Sequence, residues 1–253
     1  MSFSPGNLQY NIATQTWRFA EHQWDFVGDE TAGNVYFGSD KCHNIVNTTS
    51  GYTGWIDLFG WGTGQYPLSM RFNDTYGTSA DWGINAIVNG CEEDGIGLWS
   101  VLSVHEYQYL ITGRDNASSL YDKGVVHSVN GLILLPDNWS MPEGVSISTF
   151  TTGQSVAGFP NTITDDDWEL MESAGAVFFP MCGMRNLNSN LYGAGSRGYY
   201  WSSTSESWGA SRFFISGDAA TASQASIYAN VNGSSNKAMG CGVRMVHVVD
   251  VAK

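Results

Sequence analysis

The chain is short of charge, and of positive charge above all. Asp, Glu, Lys and Arg make up 14% of its 253 residues, where about a quarter is usual. Only 11 residues are Lys or Arg against 24 Asp or Glu, which makes the net charge −13. Nucleic-acid binding needs a basic patch or stripe, so we expect no nucleic-acid partner. Hydrophobic residues reach 42%, which argues against disorder.

Long apolar runs are also missing. No stretch of about eighteen consecutive apolar residues occurs, so we expect no membrane insertion. Residues 1–6 lack the basic region followed by an apolar run that marks a signal peptide. We therefore expect no signal peptide in this chain.

Motifs of catalysis and metal binding are absent as well. The cysteines Cys42, Cys91, Cys182 and Cys241 form no Cys-x-x-Cys pair, and we interpret them as buried thiols. A disulfide between Cys182 and Cys241 stays open as an alternative, because both lie beside apolar runs. There is no Gly-x-Ser-x-Gly elbow, no phosphate-binding glycine loop and no metal-ligand spacing among the five histidines. We expect no enzymatic activity, no cofactor and no metal.

Glycine and aromatic residues are plentiful instead. The chain has 30 Gly, 10 Trp and 12 Tyr, a composition typical of strands joined by turns and irregular loops. No fixed-period repeat or low-complexity linker divides it, so we predict one domain over residues 1–253. Most tryptophans lie in apolar strings and are predicted to be core residues: Trp55, Trp61, Trp82, Trp99, Trp139, Trp168 and Trp201.

Two helices have clear start signals. Ser103 and Glu106 have the spacing of a capping box before an apolar face at residues 107–111, and Gly113 is predicted to end that helix. A second helix is predicted to start at Thr164 and to end at Gly175. The three aspartates that follow Thr164 favour a solvated helix start over a cation site.

The remaining apolar segments predict strands. Alternation in 212–215 predicts that one of Phe213 and Phe214 is buried and the other exposed. Strands with two short helices and long loops make an α+β architecture. Strands are predicted at residues 3–10, 17–24, 131–135, 176–179, 199–201, 212–215 and 241–249.

Several sequence strings resemble a known group. Gly-Tyr-Tyr-Trp-Ser-Ser-Thr (198–204), followed by Gly-Val-Arg-Met-Val (242–246), resembles the end of C-type lectin-like domains. The resemblance is closer to proteins of gut bacteria and their phages that share the strings at 3–10, 17–23, 54–63 and 134–139. Together these strings span nearly the whole chain.

The resemblance implies a C-type lectin-like fold, with a twisted, mostly antiparallel sheet and two helices. That fold is related to the formylglycine-generating enzymes. Many members of the wider class are variable proteins of diversity-generating retroelements, in which a C-terminal segment changes while the framework keeps its shape. Here that segment corresponds to residues 198–246. Phage members bind host receptors at tail tips, and bacterial members are displayed at the cell surface.

Carried onto this sequence, the resemblance separates framework residues from exposed residues that contact the ligand. The framework residues are Tyr200, Trp201, Ser202, Ser203, Val243, Arg244 and Val246. The expected ligand-binding residues are Ser205, Glu206, Ser207, Trp208, Ser211, Arg212, Phe214, Ser216, Asp218, Tyr228, Asn230, Asn232, Ser234, Ser235, Asn236 and Lys237. The segment 205–237, in which they lie, has the mixture of aromatic, Ser, Gly and Asn residues that is typical of antibody loops.

The chain departs from the lectins in one respect that bears on function. The calcium-dependent sugar motifs Glu-Pro-Asn, Gln-Pro-Asp and Trp-Asn-Asp are absent, so we do not expect calcium-mediated sugar binding. The leading hypothesis is a receptor-binding adhesin of a phage tail or a bacterial surface, with a protein or glycan receptor as partner. A homotrimer would raise its avidity. The alternatives are an oxidase of the formylglycine-generating type and a structural subunit of a surface appendage.

Overall fold

The structure of the chain is a computed structural model. It describes residues 1–28, 52–65, 67–68, 82–90, 96–146, 157–187, 191–206, 209–218, 226–229 and 235–247. In these residues short strands dominate over two helices, so the predicted α+β class is confirmed. The strands are β1 (Ser2–Phe3), β2 (Leu8–Asn11), β3 (Thr16–Phe19), β4 (Trp55–Ile56), β5 (Trp99–Val101), β6 (Tyr121–Val126), β7 (Val129–Leu134), β8 (Asn161–Ile163), β9 (Val177–Pro180), β10 (Met184–Arg185), β11 (Leu191–Tyr192), β12 (Arg197–Glu206), β13 (Gly209–Ser216), β14 (Ile227–Ala229) and β15 (Met245–His247).

The strands pair mostly antiparallel, as predicted, but they form several small sheets instead of one twisted sheet. The described strands make the sheets β1-β15-β5, β3-β2-β4, β8-β6-β7-β9, β10-β11 and β12-β13-β14. The pairing of β6 with β8 is parallel. Single bridges link different sheets, such as Phe59 with Cys241 and Tyr200 with Gly242. The last strand β15 lies between β1 and β5 and so joins the C-terminal segment to the N-terminal one.

The first helix, α1 (Val104–Gln108), begins as predicted. The Ser103 side chain accepts from the backbone N–H of Glu106, while the Glu106 carboxylate accepts from the backbone N–H of Ser103 at 2.7 Å. The chain then continues as one π-helical segment, Tyr109–Gly113, so the helical region ends at the predicted glycine. Such π-helical turns are rare and occur often near functional sites.

The second helix, α2 (Asp165–Ser173), is capped by Thr164, whose Oγ1 accepts from the N–H of Asp167 at 3.2 Å. Gly175 ends this region with φ +97°, a value that few other residues adopt.

The prediction that all three aspartates are solvated is wrong for Asp167. Its carboxylate accepts from the N–H and Oγ of Ser146 at 2.7 and 2.5 Å. These hydrogen bonds lower the pKa of Asp167 and fasten the preceding loop to the helix.

Buried side chains of the described residues form three clusters. Five of the tryptophans predicted to be core residues are buried, which confirms the prediction for Trp61, Trp82, Trp99, Trp168 and Trp201. The other two, Trp55 and Trp139, are only half-buried. The first cluster contains side chains of β2, β3, β5, β12 and β13. It therefore supports the strands that present the predicted binding residues.

Candidate binding surface

The sheet β12-β13-β14 organises the C-terminal segment. Tyr199 pairs with Phe214 and Trp201 with Arg212 across β12 and β13, and Phe214 pairs with Tyr228 on β14. Directly paired residues project to the same side of a sheet. These five side chains therefore share one face, which we call the front face.

The opposite face of this sheet packs beneath α1. The ring of Tyr107 stacks on Phe213 at a centroid distance of 4.8 Å and an angle of 9°. Phe213 is 2% exposed, and Phe214, on the front face, is 6% exposed. The prediction that only one of the two would be buried is wrong, because α1 covers Phe213, while the neighbouring rings of Tyr199 and Tyr228 enclose Phe214 on the front face.

Four residues expected on the surface are buried: Ser211, Phe214, Ser216 and Ser235. The expectation of exposure is wrong for them, because Ser211, Phe214 and Ser216 belong to β13, the middle strand of its sheet, and Ser235 bridges to Ala210 of the same strand. The Ser211 carbonyl accepts from the hydroxyl of Ser202 at 2.8 Å. Ser235 exchanges two backbone hydrogen bonds of 2.9 Å with Ala210. These serines stabilise the scaffold.

Asp218 is exposed, but its carboxylate fastens a turn. It accepts from the Ser216 hydroxyl at 3.0 Å and forms a salt bridge with Arg197 at 2.8 Å. These two contacts lower the pKa of Asp218, with the Ser216 hydrogen bond as the largest cause. In the described structure Asp218 therefore stabilises this turn.

The other predicted residues divide by position. Ser205 is exposed near the end of β12, and the backbone of Glu206 pairs with Gly209. Five predictions lie outside the described residues and stay predictions: Ser207, Trp208, Asn230, Asn232 and Ser234. The four remaining predicted residues are half-buried: Arg212, Tyr228, Asn236 and Lys237.

Arg212 occupies the centre of the front face. Its guanidinium carbon lies 4.7 Å from the centroid of the Tyr199 ring, a geometry that stabilises a cation. Its Nη1 donates to the sulfurs of Met184 at 3.5 Å and Met239 at 3.8 Å, and its side chain also interacts with the buried thiol of Cys241. Thioether sulfurs are weak acceptors. Within the described part of the chain Arg212 has no carboxylate partner.

Lys237 is held in a similar way at the edge of this face. Its ammonium nitrogen lies 4.6 Å from the centroid of the Trp61 ring, and its carbonyl accepts from the N–H of Trp61 at 2.8 Å. The neighbouring Asn236 closes a turn. Its carbonyl accepts from the N–H of Met239 at 3.0 Å and its side-chain oxygen from that of Ala238 at 2.9 Å.

These contacts define a surface with two layers. The floor consists of the buried aromatic residues Trp61, Tyr199, Trp201 and Phe214. The rim consists of the half-buried residues Met184, Arg212, Tyr228, Asn236, Lys237 and Met239. We call rim and floor together the C-terminal patch.

Sequence reasoning missed the two methionines of the rim. Met184 belongs to β10, far from the C-terminal segment in sequence, and Arg185 beside it exchanges backbone hydrogen bonds of 2.8 and 3.0 Å with Gly240. This pairing and the bridge between Gly183 and Gly198 of β12 bring Met184 close to Arg212. No local pattern in the sequence indicates it.

The thiols Cys182 and Cys241 are free and buried, so they form no disulfide. Burial is the main cause that raises the pKa of Cys182 to about 12 and that of Cys241 to about 11. Both therefore carry their protons at neutral pH, and a protonated buried thiol is a poor nucleophile.

A cavity of about 420 Å³ lies away from the front face, between β1 and the helical segment that ends at Gly113. Phe3, Leu102, Leu134 and Val177 supply much of its apolar lining. The guanidinium of Arg114 at the edge of the cavity is engaged within the chain, because it donates to three backbone carbonyls and to Asp137. The cavity presents no described cysteine or histidine.

Comparisons with protein-family models, curated proteins and solved structures found no significant match to this chain. Within the described ranges no cluster of three or more His, Cys, Asp or Glu side chains has the arrangement of a metal site. In the same ranges no helix has the length and apolar character needed to cross a membrane.

Proposed function

We propose that this chain is a ligand-binding protein that contacts a receptor through the C-terminal patch. The observation that carries the proposal is the separation of floor from rim. Buried aromatic rings hold the sheet together, while half-buried side chains above them remain accessible to a partner. Arg, Tyr and Met are enriched in protein-binding surfaces, and all three occur in this rim.

The scaffold is, in this proposal, of the C-type lectin-like type, and the chain serves as a phage tail adhesin or a bacterial surface protein. The two short helices, the mostly antiparallel sheets and the buried framework residues of β12 support this view. A segment that changes while the framework persists needs a rim whose side chains contribute little to folding. Positions 212, 228 and 237 are half-buried, so their side chains are partly accessible and are the candidates for such change.

We propose a binding role without covalent chemistry. Cys182 and Cys241 are both fully buried and protonated, which supports this choice over an oxidase that needs a reactive thiol. The acidic carboxylates with lowered pKa, Asp167 and Asp218, are engaged by serine hydroxyls and fasten loops.

Binding to intact cells tests the proposal. Fluorescently labelled protein is incubated with a panel of gut bacteria, and cell-bound fluorescence is measured by flow cytometry. We expect saturable binding to at least one strain, and a loss of about tenfold or more in affinity when Tyr228→Ala and Lys237→Ala are combined.

The matched control is Tyr109→Ala, which removes an exposed tyrosine on the π-helical segment outside the patch. This variant should bind the same strain as the unchanged protein does. Binding to no strain of the panel, or an equal loss in the control and in the double variant, would contradict a receptor-binding role for the patch.

A further inference from the structure

The C-terminal patch gathers positive charge that is unpaired in the described residues of a strongly acidic chain. Among the described basic residues, Arg114 and Arg197 form salt bridges, and Lys123, Arg185 and Arg244 are fully buried. The basic side chains that are half-buried and form no salt bridge with another described residue are Arg18, Arg212 and Lys237.

Two of these three cations, Arg212 and Lys237, belong to the rim, where each lies over an aromatic ring. The net charge of the chain is −13. An acidic partner is therefore repelled by most of the protein surface and attracted at the patch, which orients its approach. Arg212 is the stronger recognition element, because a guanidinium can bind a carboxylate through two parallel hydrogen bonds.

The rings of the described floor are poorly placed for sugar binding. Trp61 and Tyr199 are each 3% exposed and Phe214 is 6% exposed, so none of them presents a free face on which a pyranose could stack. Tyr228 is half-buried and lies against Phe214 at a centroid distance of 5.0 Å.

The surroundings of Arg212 suit apolar protein side chains better. Met184 and Met239 flank its guanidinium, and methionine adapts its shape to a partner surface. An anion on Arg212 would thus sit beside flexible apolar contacts. This combination corresponds to an acidic side chain with apolar neighbours in a peptide segment.

We infer that the receptor of the C-terminal patch is a protein segment that places an Asp or Glu carboxylate on Arg212 and apolar side chains on Met184 and Met239. This inference rests on the proposed function, since it names the class of ligand for the same surface. Lys237 adds attraction to a second acidic group at the edge of the patch.

Selection from a displayed random peptide library, with the unchanged protein as bait, tests this inference. We expect enriched peptides in which Asp or Glu lies next to apolar residues. The dissociation constants of the synthesised peptides are then measured for the unchanged protein, for Arg212→Met and for Arg18→Met. Methionine retains much of the length of arginine while removing its charge.

Arg18→Met is the matched control, because Arg18 also lies over an aromatic ring, that of Trp55 at 3.8 Å, but on another sheet. We expect Arg212→Met to weaken binding about tenfold or more and Arg18→Met to leave it unchanged within about twofold. Amidation of the peptide carboxylate, Asp to Asn or Glu to Gln, should weaken binding equally. It should have no further effect on Arg212→Met, as a double-mutant cycle would reveal.

Three results would overturn the inference. They are a selection that yields no acidic peptide, acidic peptides whose affinity does not depend on Arg212, and Arg212-dependent binding of an acidic glycan such as polysialic acid with no peptide bound. If Arg212→Met fails to fold, Lys237→Met and the amidated peptides supply the same comparison. If cell binding depends on Tyr228 but no acidic peptide binds through Arg212, the proposed function stands and only this inference is removed.

Discussion

Replacing Trp201 with alanine is expected to lower the free energy of unfolding by about 3–5 kcal/mol. Its side chain is fully buried, and its indole N–H donates to the carbonyl of Phe59 at 2.6 Å. The substitution removes the largest side chain of β12 from the first core cluster and leaves a cavity in the floor of the patch. Chemical denaturation followed by circular dichroism measures the change.

Trp201→Phe is the control for this experiment. It retains an aromatic ring in the core and removes only the indole N–H and part of the volume. We expect it to lose less than half of the stability that the alanine variant loses. A loss of under about 1 kcal/mol in Trp201→Ala would indicate a surface position and would contradict the two-layer description of the patch.

Replacing Gly131 with alanine is expected to destabilise the protein by about 1–3 kcal/mol or more. A Cβ atom at this position would lie 2.1 to 2.7 Å from three ring carbons of Phe178. Phe178 is fully buried and packs edge-on against Trp168 at 5.7 Å, so its ring cannot move away freely. Thermal unfolding of the variant measures the cost.

The double variant Gly131→Ala with Phe178→Leu tests the cause. If the clash with the ring is responsible, shortening Phe178 removes the overlap, so the two substitutions together should cost less than the sum of their separate effects. Strict additivity would assign the loss at Gly131 to the backbone and not to its contact with Phe178.

The helices could be predicted because their signals are local. Ser103 and Glu106 bond within one turn, as do Thr164 and Asp167, so the sequence around each start is sufficient. The sequence does not predict strand β6. Its residues Asp122 and Lys123 are buried although they are charged, so the hydrophobic pattern that marks a buried strand is interrupted there.

The binding surface could be predicted only in part, because exposure depends on what packs against each face. Alternation in β13 indicates which residues share a side, but not that Tyr107 of α1 stacks on Phe213 or that Tyr199 and Tyr228 enclose Phe214. Phe213 and Phe214 are therefore both buried. The arrangement of Arg212 between two methionines needs strand pairings between distant segments, which a single sequence does not reveal.

The central claim is that the front face combines a floor on which folding depends with a rim that is free to change. Saturation mutagenesis on a displayed protein, with protease resistance as the measure of folding, tests this claim without any ligand. The account predicts that Arg212, Tyr228 and Lys237 accept most residue types, whereas Tyr199 and Trp201 accept few or none. Equal intolerance at the rim and the floor would contradict it.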